Sequence, residues 1–588
     1  MELSGQLVRL CIDAACESRE SIERWRKQRR TLEQLPSHLA DILFQRLLDR
    51  RLLVPSLLEI FKHSVETIDL NGCSDVDAEW MAYLGAFKVL LSLNLANCCR
   101  ITSSALWHLI GMNGLREMDL SRCVKVNDAG VKHLVSITSL EILRISETNV
   151  SEHGVVLLSA LTNLSVLELG GLPVTDEALN SLQVLKKLEY FDLWGSKISD
   201  SGSIVLTNLP KLISLNLAWT SVSTFPNMPS LKVINMSNCK INSILDGNVC
   251  EARLNKIILS GATLLNDCET MLRLEGSCLT YLDVSDSSIK HFFFLSLLKS
   301  LEYLDLSSSQ LDDNSLQFVA DIGSNLRHLD LSKTKVTSHG LAILSGTVPK
   351  LQYISLSYTS ITDLALSYVA TMPSLKKVDL SHTNIQGFYI ESDDEAKWTS
   401  SLVSLRVLCH LETLNLEYTK VREAALPPLV IFQNLVHLAL RNPFLTDASL
   451  HLLSPISKLR HLSFCDAILT NTGLSNFYPP VTLQTFDLTG CWLLTEDGIS
   501  CFSRRHPRID VRHDLLKVQS SERKQVVQYT TLVSPSKNRQ TSRLDIKKPS
   551  SLSLNPNFVD QRLKYRREEM LALQFSSNCQ LAKNKTSL

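Results

Sequence analysis

One frame, apolar-x-x-Leu-x-Leu-x-x-Cys/Thr, recurs down this chain and constrains its fold more than any other feature. "VETIDLNGC" at 65, "LLSLNLANC" at 90, "LREMDLSRC" at 115 and "LEILRISET" at 140 share it, and about eighteen such units follow one another, mostly 22–25 residues apart. A unit of that length is one supersecondary element that cannot bury its own leucines, so neighbours must stack. The ninth place holds Cys (73, 98, 123, 239, 491), Thr (148, 220, 334, 359, 383, 419) or Ser (196, 287, 309). A small inward side chain with a hydrogen-bonding atom satisfies backbone groups where the chain leaves its strand. These cysteines therefore belong to the repeat rather than to redox or metal chemistry. Many units continue as "VNDAGVKHL" (126–134), "VTDEALNSL" (174–182) or "LTDASLHLL" (445–453), an Asp or Ser cap followed by helical apolar spacing.

Each unit thus reads as strand, turn and short helix. The expected architecture is an α/β solenoid, a horseshoe with a parallel concave sheet and outer helices, a helical N-terminal cap and a disordered C-terminal tail. The units resemble the cysteine-containing leucine-rich repeats of ubiquitin-ligase receptors over roughly residues 64–514. Residues 1–63 form a separate head, and 515–588 a separate tail.

Strand alternation points offsets 2, 4 and 6 of the frame toward the concave face. Offset 4 is an acidic column that includes Asp69, Asp119, Glu168, Asp192, Asp283, Asp305, Asp330, Asp379 and Asp487. Offset 2 places Tyr281, Tyr303, His328 and Tyr353 on four successive strands. Tyr190 and Trp194, with Trp219 one repeat later, make a second aromatic group. Exposed aromatics beside acids suit a basic or mixed segment of a protein substrate. Cross-strand stacking that merely stabilises the sheet is the other reading. Between the units at 375 and 411 the spacing lengthens, inserting "QGFYIESDDEAKWTSS" at 386–401, a surface loop in which Ser392 before Asp393, Asp394 and Glu395 looks like an acid-directed kinase site.

In the head, "QLVRLCIDAAC" reads as a helix with Leu7, Cys11 and Ala15 on one face. "LPSHLADIL" at 35–43 reads as a second helix with Pro in its first turn and Leu35, Leu39 and Leu43 in line. These two elements resemble the VHL box of the Zyg-eleven and Zer-like receptors of cullin-RING ubiquitin ligases. The resemblance implies that Leu7, Cys11 and Ala15 meet elongin C, and that Leu35, Pro36, Leu39 and Leu43 lie at the cullin side. Gln6 stands where that family has a small residue, and its armadillo-type repeats are absent. The same "LPSHLADILFQRLL" also resembles the start of an F-box, which docks on a Skp adaptor, and both helices alternatively cap the first repeat, although "LLVPSLLEIF" (52–61) is itself a sufficient cap. "RWRKQRR" (24–30) reads as a solvated helix surface.

Lys and Arg equal Asp and Glu at 60 each, yet residues 515–588 carry nine net positive charges and the rest nine net negative. The body is therefore not a nucleic-acid binder. In the tail, the Ser, Lys and Pro content up to "NPN" is that of disorder, and "VDQRLKYRREEMLALQF" (559–575) returns to helical spacing. Its Tyr565, Met570 and Leu571 are similar to the segment with which several proteins bind the mRNA cap-binding initiation factor.

Glu2, Arg9 and Asp13 interrupt any apolar export signal, and "FFFLSLL" (292–298) is too short to cross a bilayer. A cytoplasmic or nuclear location without membrane contact is expected. No phosphate loop, HExxH or GxSxG elbow occurs, so neither an enzyme nor a cofactor or metal is expected.

Overall fold

The computed structural model describes residues 2–26, 35–224, 228–243, 253–272, 278–390 and 398–515. The chain divides into two compact units, Met1–Tyr353 and Ile354–Leu588.

The first unit opens with helices, among the described residues α1 (Glu2–Ala15), α2 (Arg19–Arg26), α3 (Ser37–Asp49) and α4 (Pro55–Phe61). A parallel sheet follows, each strand three residues long, beginning Thr67–Asp69, Ser92–Asn94 and Glu117–Asp119 and continuing through His328–Asp330. The register never shifts: Thr67 faces Ser92, Ser92 faces Glu117, and Tyr281 faces Tyr303, which faces His328. The second unit repeats the design with Lys377–Asp379, Thr413–Glu417, His437–Arg441, His461–Cys465, Thr485–Asp487 and Asp510–Arg512. Helices and 3-10 turns return the chain behind most strands. This is the leucine-rich-repeat fold, an α/β repeat with a parallel sheet on one side and helices on the other.

The frame explains the packing. Offsets 0, 3 and 5 are buried in repeat after repeat, as with Leu90, Leu93 and Leu95 or Leu326, Leu329 and Leu331. Each such leucine contributes about 1.5–3 kcal/mol by leaving water. At the ninth place the thiols and hydroxyls act differently. Cys98, Cys123, Cys239 and Cys491 donate across to a carbonyl of the preceding repeat (Leu70, Leu95, Leu217 and Phe464 O, 3.1–3.2 Å). Thr148, Thr220, Thr334, Thr359, Thr383 and Thr419 donate within their own turn, three residues back. Burial pushes the Cys98 thiol up to about 12 and Cys123 up to about 11, so neither is a thiolate at neutral pH.

Two details differ from the sequence reading. Asp77 caps its helix as expected, and Ser199 its own, but elsewhere the cap falls one place earlier than the expected Asp or Ser: Asn127, Thr175 and Thr337, like Thr470, accept from helical N–H groups. Aspartates beside the helix starts reach the next repeat instead. Asp128 accepts from Ser151, Asp176 from Ser199, Asp200 from Ser223, Asp313 from Thr337 and Asp447 from Thr470, each through both backbone N–H and hydroxyl. Glycine in the receiving helix makes room, since a Cβ at Gly202 would sit 2.1 Å from Asp176 Oδ1. The insertion at 386–401 is likewise not a plain loop. Phe388–Ile390 pairs antiparallel with Trp398–Ser400, and Asp363 holds its base by accepting from Gln386 N, Gly387 N and Ser401 Oγ. Ser392 and its acidic neighbours lie outside the described residues.

Candidate interaction surfaces

On the sheet face of the first unit, parallel register sets identical places side by side about 4.8 Å apart. Tyr281, Tyr303, His328 and Tyr353 respond by stacking in one column, with centroids 3.9, 4.0 and 4.1 Å apart and planes within 9° of parallel. Lys256 caps the column, its Nζ 3.9 Å from the Tyr281 centroid. Each ring is half-buried by its neighbours and keeps an edge in solvent. Burial raises the Tyr281 and Tyr303 phenols, so both stay protonated donors.

The acidic column beside them needs correction. Asp283, Asp305 and Asp330 accept from the N–H groups of Ser285, Ser307 and Ser332 at 2.8–3.0 Å, and Asn94, Asn216 and Asn415 do the same at their places. The column is first a set of turns that require an acceptor, which is why Asn alternates with Asp. Asp305 and Asp330 thus serve the fold before any ligand. Burial, with Asp330 and Asp283 on either side, raises the Asp305 carboxyl.

The second aromatic group does not form as expected. The Trp194 indole lies back over the repeat before its own, so that a Cβ at Gly170 would sit 2.0 Å from Nε1, whereas Trp219 belongs to the repeat after and is 65% exposed. Tyr190 is half-buried, and burial pushes its phenol up to about 12. Next to it Asp192 is buried, which pushes its carboxyl up to about 6. A charge ladder precedes them: Arg144 donates to Glu117 at 2.6 Å and to Glu168 at 3.0 Å.

A row of rings in the second unit escaped the sequence reading. Tyr358, His382 and Tyr418 stack at 3.9 and 4.2 Å, and the Arg441 guanidinium lies 5.0 Å from the Tyr418 centroid while bonding Asp466 at 2.8 Å. All three rings stand at the eighth place of the frame, where φ is positive (+55° to +56°), as it is at Asn97, Trp219 and Lys333. The backbone N–H there still bonds the next strand, Tyr358 to Ser381 O and Tyr418 to Arg441 O, before the chain turns inward. The signal was present in "SLSYTS", "DLSHTN" and "NLEYTK", in the residue before each inward Thr. On the same face His437 and His461 stack at 4.2 Å, and His461 Nδ1 meets Thr485 Oγ1 at 2.7 Å.

The head divides the expected adaptor residues. Asp13 ties α1 to α3, accepting from Arg46 Nε at 2.7 Å and Arg50 Nη2 at 3.1 Å, while Arg50 Nη1 reaches Cys16 O at 2.8 Å. The Arg46 hydrogen bond holds the Asp13 carboxyl below the usual carboxylate range. Cys16 is fully buried, and Cys11 and Ala14 are exposed with Leu10, which is 66% exposed; Ala15 is half-exposed. Leu7 lies in α1, with its side chain outside the described set. In α3, Ala40, Leu43, Phe44 and Leu47 are buried, Phe44 edge-on to Phe61 of α4 at 5.5 Å, and Asp41 accepts from Glu66 N at the first strand. Leu43 therefore packs inward rather than toward a partner, and α3 shares with α4 the task of covering the first repeat. Pro36 is exposed, and Leu35 and Leu39 are half-exposed. Tyr565, Met570 and Leu571 of the tail lie outside the described residues. Among the described residues no helix is long and apolar enough to cross a membrane.

No family model matches the chain, and no curated protein does. Among solved structures, an internalin from Listeria monocytogenes is 23% identical, with 56% of this chain and 82% of the internalin covered at a TM-score of 0.38. A leucine-rich-repeat protein from Leptospira interrogans is 16% identical, with 78% of this chain and 97% of that one covered at 0.38. TLR13 in its complex with ssRNA13 is 20% identical, with 73% and 66% covered at 0.45.

Proposed function

We propose that the chain is the substrate-recognition subunit of a cullin-RING ubiquitin ligase, in which α1 docks on elongin C and the sheet face holds a protein target. The observation that carries this reading is the placement of α1. Asp13, with Cys16 just past the helix end, commits one side of α1 to α3, and the opposite side leaves Leu10, Cys11 and Ala14 in solvent. An apolar row with small residues beside it lets a partner approach the backbone closely. Leu35, Pro36 and Leu39 at the start of α3 remain for the cullin, without Leu43.

The target surface is the ring column Tyr281–Tyr353, whose hydroxyl edges and flanking carboxylates suit a basic or mixed polypeptide segment. The chain itself performs no chemistry on this reading. It acts in the cytoplasm or nucleus, and ubiquitin transfer follows from proximity supplied by other subunits.

The test is co-purification. Tagged full-length chain retains elongin C, and Leu7→Asp abolishes that retention while leaving the thermal melt unchanged. Retention of Skp instead would move the assignment to an F-box-like receptor. Retention of neither would leave a binding module with no ligase link.

A further inference from the structure

We propose that the sheet face of the second unit is the docking surface for the chain's own basic tail segment, residues 537–548. This rests on reading the sheet face as the binding side of the repeats, and not on the adaptor assignment.

The surface has two components. Register sets Asp379 beside Asn415, Glu417 beside Arg441 and Asp487 beside Ser463, so Asp379, Asp466 and Asp487 lie within electrostatic reach of Glu417, and the neighbouring guanidinium, Arg441, is already spent on Asp466. Burial raises the Glu417 carboxyl, and Asp379, Asp487 and Asp466 add to that against the opposing pull of Arg441. Alongside runs the ring row Tyr358–His382–Tyr418, its two tyrosines exposed and His382 half-buried. Arg441 over Tyr418 demonstrates that a guanidinium fits against these rings. Burial lowers His382, so the row stays uncharged at neutral pH and presents π faces and edges rather than cations.

The occupant follows from charge and tether. The tail supplies Lys537, Arg539, Arg543, Lys547 and Lys548 against the single acid Asp545, and the body carries the compensating negative charge. The final strand of the unit, Asp510–Arg512, lies five strands from Lys377–Asp379, about 24 Å at ~4.8 Å per strand. The 21 residues between Leu515 and Lys537 reach at most ~70 Å, ample for the whole face. A tethered segment also competes at an effective concentration in the millimolar range, which a free basic segment of similar composition does not match. A target must therefore displace the tail, and phosphate on Ser534, Ser536 or Ser542 would weaken the tail's hold by cancelling its charge.

Zero-length carbodiimide coupling of the full chain at low salt, read by mass spectrometry, tests this. Lys537, Lys547 or Lys548 should be joined to Asp379, Glu417 or Asp487. In a mixture of isotope-labelled and unlabelled chains the joined peptides should carry a single label. The double variant R539Q, R543Q removes tail charge but no coupling group, and should lower those products about tenfold with an unchanged melt. Mixed-label products, coupling spread over acids of the first unit, or products indifferent to 0.5 M salt and to the double variant would overturn the inference. Such a result would leave the elongin pull-down, and the assignment it tests, untouched.

Discussion

At the scale of single residues, the array is held by acceptors placed at fixed points of the frame, and charge is incidental to most of them. Asp330 accepts from Ser332 N, a task Asn performs at 94, 216 and 415. Asp330→Asn should change stability by less than about 0.5 kcal/mol and Asp330→Ala should cost about 1 kcal/mol, as read by urea unfolding. Asp192 is the exception in which charge matters. Its folded carboxyl sits near 6, above the unfolded value of 3.8, chiefly because it is buried. The native state therefore holds a proton that the unfolded chain has lost; the stabilisation is whole below the unfolded value and disappears as pH rises through 6. The difference is worth about 3 kcal/mol. Asp192→Asn should raise stability by up to that amount at pH 8 and leave it unchanged at pH 3, and an equal effect at both would exclude the titration. Gly202→Ala drives a methyl into Asp176 and should cost about 1–3 kcal/mol.

At the scale of elements, the ring column turns four separate strands into one continuous stack. Tyr303 touches a ring on both sides, so Tyr303→Ala should cost about 1–3 kcal/mol beyond what lost area explains, whereas Tyr281→Ala breaks one ring contact and costs less. Calorimetric melts of the two variants compare them directly. In the head, α1 is held chiefly by Asp13. Asp13→Asn should lower exchange protection across Glu2–Ala15 without moving protection in the sheet, and acid should lower it likewise as pH falls below the carboxylate range. The strand and its alternation were legible because a period of two leaves a plain mark in Leu93 and Leu95 or Leu329 and Leu331. Which partner covers an apolar helix was not: Leu43 and Cys11 both sit on helical stripes, and only packing decides that Leu43 turns to the array and Cys11 to solvent. The row Tyr358–His382–Tyr418 was missed because it depends on a positive φ, which is a property of the turn rather than of side-chain spacing.

At the scale of the whole molecule, the repeats run on through residue 514 in sequence while the chain forms two compact units, each with its own sheet face and its own set of rings. The opposite net charges of body and tail are the ground on which we assign the second unit's face a ligand within the same chain. The head leaves one helix side free at the other end of the sequence. Titration calorimetry of the purified full-length chain with elongin C tests that head most directly. The account predicts saturable one-to-one binding that Cys11→Arg weakens about tenfold or more while the melt and the sheet's exchange protection stay as in the parent chain. Absence of binding, or equal affinity for parent and variant, would contradict it.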